Sequence, residues 1–107
     1  MIGKIVKVIV DRPLGSHHPT YKNIQYPVNY GYISDIMAGD GEEQDAYILG
    51  IDIPLTNFIG KLIAIIHRKN DNENKWVVAP ENLILSKEEI SKAVEFQEKY
   101  FDIEIEI

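Results

Sequence analysis

The chain has 107 residues, 45% of them hydrophobic and 26% charged, with no cysteine and a formal net charge of −6. This suits one domain over residues 1–107 with its own core, and it excludes disulfides, thiolate metal sites and thiol catalysis. The acidic balance argues against nucleic acid, which takes a basic face, and with no signal pattern and no long apolar run a soluble cytoplasmic protein without a membrane partner is expected.

Residues 4–11, KIVKVIVD, are dense in Val and Ile and predict a strand. Pro13, Gly15 and Pro19 then predict a loop. IQYPVNYGYI, residues 24–33, predicts an irregular or edge strand, bent at Pro27 and Gly31. The acid-rich run up to Asp45 predicts a second loop, and AYILGIDI, residues 46–53, the next strand. FIGKLIAIIH (58–67), with a bulge expected at Gly60, and KWVVAP (75–80) form a hairpin across a polar turn. Ser86 and Glu89 have capping-box spacing, and Ile90, Ala93, Val94, Tyr100 and Phe101 recur with helical period. The closing DIEIEI alternates strictly, as an exposed or intersubunit strand does. About five short strands and one helix predict a mainly β fold: a small OB-like β-barrel with one C-terminal α-helix and a short terminal strand. The small core and the closing strand favour a homo-oligomer.

Chemistry concentrates in Asp40-Gly41-Glu42-Glu43-Gln44-Asp45, with four carboxylates in six residues. A solvated loop is the ordinary explanation. Against it, Asp40 and Asp45 bracket the turn, Gly41 lets the chain bend sharply, and clustered carboxylates are natural ligands of Mg²⁺. Asp71, Glu73 and Lys75 form a second polar cluster, which alone reads as a hairpin tip. Adjacent His17 and His18 are too few for a zinc site, and no Ser-His-Asp pattern is present.

YPVNYGYI (26–33) followed by DGEEQDAYILG (40–50) resembles the soluble family I inorganic pyrophosphatases, with VDRPLGS upstream and GKLIAIIH and KWVVAP downstream in agreement. The resemblance implies an OB-like barrel and Mg²⁺-dependent hydrolysis of pyrophosphate. It also implies Asp40, Asp45, Glu73, Asp71 and Asp11 as metal ligands. Glu42 would orient or deprotonate the attacking water. Tyr30 and Lys75 would act catalytically and on phosphate, together with Tyr100. The chain departs from the family in five places, one of them Gln44 in place of an apolar residue. Glu42 replaces an aspartate, and Arg68 stands where a metal-binding acid is expected. Phe101 replaces a lysine. The segment between Ser16 and Tyr26 lacks a cationic hairpin, for which His17, His18 or Lys22 are the candidates. Two alternatives follow from these departures: hydrolysis of a larger phosphoanhydride metabolite, and a non-catalytic metal- or phosphate-binding module.

Overall fold

A computed structural model describes residues 1–37, 41–71 and 73–107. Strands β1 (Ile5–Arg12), β2 (Asn29–Met37), β3 (Glu43–Ile48), β4 (Asn57–Arg68) and β5 (Asn74–Ala79) are followed by helix α1 (Lys87–Glu98) and strand β6 (Ile103–Glu106). The sheet order is β1-β2-β3-β5-β4-β6, and an additional β1–β4 pairing closes the first five strands into a barrel. All pairings are antiparallel except β3–β5, so the expected OB-like barrel with one helix is met.

Side-chain alternation divides the molecule into two layers. Ala46, Ile48, Trp76 and Val78 point with Val6, Val8, Ile33 and Leu62 into an aliphatic core. Tyr47, Leu49 and Val77 point the other way, where Tyr26, Tyr30, Ala64 and Ile66 meet Ile90 and Val94 of the helix. Each large aliphatic side chain fully buried in these layers contributes about 1.5–3 kcal/mol. The helix starts as expected: Ser86 Oγ accepts from the Glu89 amide at 3.1 Å, and Glu89 Oε1 accepts from the Ser86 amide at 2.9 Å.

Several boundaries differ from expectation. β2 begins at Asn29, not residue 24, because Tyr26 turns into the helix-facing layer and His17–Gln25 forms only a single bridge. Buried Asn29 is committed elsewhere: Oδ1 accepts from the Leu14 and Leu55 amides, both at 2.9 Å, and Nδ2 donates to the Ile53 carbonyl at 2.9 Å. β3 starts at Glu43 and stops at Ile48, so Asp45 lies inside a strand instead of opening one. Gly60 pairs in register with Val6; the register shift falls between Leu62 and Ala64. The helix ends at Glu98, leaving Tyr100 and Phe101 in the turn beyond it. β6 pairs within the chain along the end of β4, with Ile103 and Ile105 packed inward.

Two glycines have clear duties. Gly31 crosses β1 so closely that a Cβ would overlap the Ile9 carbonyl. Gly41 has φ +82°, which tightens the turn into β3.

Candidate active site

A cavity of about 670 Å³ opens between the β3–β5–β4 face, the C-terminal end of α1 and the β1–β2 loop. Alternation places Asp45 on β3 and Lys75 on β5 toward it, and Tyr30 enters from β2. Lys75 Nζ bridges Asp45 Oδ2 at 2.6 Å and Glu73 Oε1 at 2.5 Å, and Tyr30 donates its hydroxyl proton to the same Asp45 oxygen at 2.9 Å. Burial, reinforced by the Asp45 charge, raises the Tyr30 pKa well above the ordinary phenol value, so it remains a neutral donor.

The two arginines of the chain, Arg12 and Arg68, both line this cavity. Arg12 Nη1 donates to Tyr26 Oη at 2.5 Å, and the Arg12 guanidinium stands 5.2 Å from the Tyr30 ring centre. Arg68 donates from Nε and Nη2 to the two carboxylate oxygens of Glu98 at 2.9 and 2.7 Å. Hydrogen bonds join the two arginines through the layer between sheet and helix. Tyr26 donates to Gln97 Oε1 at 2.6 Å, Gln97 Nε2 donates to Tyr47 Oη at 2.7 Å, and Tyr47 donates to Glu98 Oε2 at 2.6 Å. Burial alone would lower the Arg68 pKa, but the hydrogen bonds and charge of Glu98 reverse this and raise it above the ordinary value. Arg12 is likewise raised: burial would lower it, but Tyr26, with Tyr30 and Asp11, together outweigh that effect.

The residues singled out from sequence fall into three groups. Asp45, Glu73, Tyr30, Lys75, His18 and Tyr100 line the cavity. Asp71 lies just behind, its carboxylate 3.7 Å from Arg68 Nη1. Asp11 is bulged from β1 opposite Tyr30; burial raises its pKa, Arg12 opposes this, and the Asp45 charge adds to it. Glu42, in the bend before β3, and His17 and Lys22, in the β1–β2 loop, are not among the lining residues. Asp40 lies outside the described residues. His18 Nδ1 accepts from the Thr20 and Tyr21 amides at 3.0 and 3.1 Å, and burial and then Arg12 lower its pKa.

From sequence, Arg12 and Arg68 matter only if they converge on an anion, Arg68 otherwise standing as a lost ligand, and Tyr26 reads as a core or interface residue; Tyr47, Gln97 and Glu98 carry no signal for the site. Polar residues at a helix end, such as Gln97 and Glu98, look solvated.

Among the described residues no three His, Asp or Glu side chains converge as a ready metal cage. Asp45 and Glu73 nevertheless face one cavity, with Asp71 just behind them. That donor set fits Mg²⁺, which commonly takes one or two carboxylates and completes its shell with water and substrate phosphates.

No family sequence model matches the chain, and no curated protein sequence matches it. Solved structures do. An inorganic pyrophosphatase from Ehrlichia chaffeensis superposes with TM-score 0.73 at 16% identity, over 99% of this chain and 87% of that one. Those from Neisseria gonorrhoeae (0.69, 21% identity, 92% of this chain and 74% of that one) and Helicobacter pylori (0.69, 17% identity, 96% and 82%) agree. The chain therefore has the fold of the inorganic pyrophosphatases, in line with the resemblance in its Tyr-rich and acidic segments.

Proposed function

We propose that the cavity hydrolyses inorganic pyrophosphate with Mg²⁺, adding one water across the P–O–P bridge and releasing two phosphate ions. The observation that carries this reading is the convergence of Arg12, Arg68 and Lys75 with Asp45, Glu73 and Tyr30 on one cavity in this fold. Lys75 and the guanidiniums bind the phosphoryl oxygens and take up charge as the bridge oxygen leaves. Tyr30, held protonated, donates a hydrogen bond that fixes either Asp45 or a phosphate oxygen. Asp45 and Glu73, with Asp40, Asp71 and Asp11 as further candidates, hold the cation; Mg²⁺, when bound, polarises the phosphoryl oxygens and makes water more acidic. Glu42 is the candidate acceptor of the water proton. Phosphate release from pyrophosphate in Mg²⁺ should be abolished by EDTA and reduced at least about 100-fold by Asp45→Asn. Release that persists in both would sink the proposal.

A larger phosphoanhydride is the second reading, because exposed Tyr21 and Tyr100 (61% and 62% accessible) stand at the rim of a cavity larger than pyrophosphate needs. A phosphate-release screen over nucleotides and sugar diphosphates separates the two: pyrophosphate turning over far faster than every alternative ends the second reading.

A further inference from the structure

Arg68 is 7% exposed and its partner Glu98 2%, yet Arg68 lies in the wall of the cavity, with Glu98 behind it. The register shift between Leu62 and Ala64 puts it there. Leu62 points into the aliphatic core, whereas after the shift Ala64 and Ile66 point to the helix-facing layer, and Arg68 continues on that side. Without the extra residue, position 68 would share the face of Leu62. Three contacts then fix the guanidinium. Glu98 takes Nε and Nη2, and the Phe101 ring lies 3.6 Å from Cζ. The remaining corner is Nη1, whose nearest acids, Asp71 and Glu73, stand at 3.7 and 3.8 Å, beyond hydrogen-bond range. Eight of the nine lysines lie away from the cavity, while both arginines line it. A planar fork held on two sides keeps its geometry toward phosphate, as a flexible lysine does not.

We propose that Arg68 is a phosphate-binding residue of this cavity, presented through Nη1, with Glu98 and Phe101 as its positioning residues. This deepens the phosphoanhydride reading and rests on it. Where the sequence resemblance would put a carboxylate and then a lysine, this chain has a guanidinium seated on a phenyl ring.

The probe is methylenediphosphonate, a hydrolysis-resistant pyrophosphate analogue, titrated at fixed free Mg²⁺. In the wild-type chain labelled with ¹⁵N-arginine there are only two side-chain Nε signals to follow. The Arg68 signal, assigned with Arg68→Lys, should shift and saturate together with the calorimetric binding curve. Arg68→Gln should weaken binding about 10-fold or more, with Arg68→Lys recovering part of the loss. Because Arg68→Gln strands Glu98, the paired Arg68→Met/Glu98→Met variant removes both charges at once and should show the same loss in a folded chain. Glu98→Gln and Phe101→Ala should raise KM more than they lower kcat, which a purely structural pair would not do. An Arg68 signal unmoved at saturation, or wild-type affinity in the paired variant, overturns the proposal. Binding that depends on Arg68 in a chain that releases no phosphate would leave it standing and refute the hydrolase. Turnover with affinity indifferent to residue 68 would do the reverse.

Discussion

The two layers of this molecule use the same strands for opposite ends. The barrel interior is apolar: Val6, Val8, Ile48, Leu62 and Val78 belong to one cluster with Trp76. The layer beneath the helix is built on tyrosine, and buried Gln97 and Glu98 run hydrogen bonds through it from Arg12 to Arg68. One layer stabilises by area removed from water and tolerates any well-shaped hydrocarbon. The other stabilises only while each polar partner is present, and in return it fixes charged groups at a cavity wall.

The contrast can be broken most forcefully at Glu98. Glu98→Ala leaves Arg68 and Tyr47 without their buried acceptor and is expected to lower stability by about 3–5 kcal/mol, and anion affinity with it; urea titration and calorimetry check the two effects. Leu62→Ala in the aliphatic layer should cost about 2–5 kcal/mol while leaving affinity per folded molecule unchanged. Equal loss of affinity in both variants would erase the distinction. At the start of the helix, away from the cavity, Ser86→Ala should cost about 1 kcal/mol without touching function, read as a small fall in Tm.

The smallest effect sharpens the comparison through pH. Burial raises the Tyr26 pKa, with Arg12 pulling partly against it. A folded value above the unfolded one means that stability from this group is full below about pH 10, and is lost as pH rises through the folded value. The Tyr26 contribution to Tm should therefore hold steady up to about pH 10 and fall above it, and Tyr26→Phe should flatten part of the alkaline fall. An unchanged alkaline slope in the variant would remove Tyr26 from the explanation.

Much of the frame was legible in the sequence because it is written locally. Runs dense in β-branched and other apolar residues marked β1 and β4, and Ser86 and Glu89 marked the start of the helix. What was illegible depends on partners distant in sequence. Nothing in AYILG or KWVVA states that β3 and β5 pair in parallel. The shift after Leu62 is invisible because Ile63, Ala64 and Ile65 are all apolar and fit either face. Asp45 was marked by the acidic loop itself, and Lys75 and Tyr30 gained their roles through the resemblance. Glu98 was passed over because the Arg68 that buries it lies 30 residues earlier in the chain.

The central claim is that the acids and cations of this cavity cleave pyrophosphate together. Its most direct test is phosphate release from pyrophosphate by the purified chain in Mg²⁺, beside Asp45→Asn and an EDTA control. Steady release that both controls abolish is the predicted result. No release from a folded chain that still binds methylenediphosphonate would contradict it, and would make the cavity a phosphate receptor instead of a hydrolase.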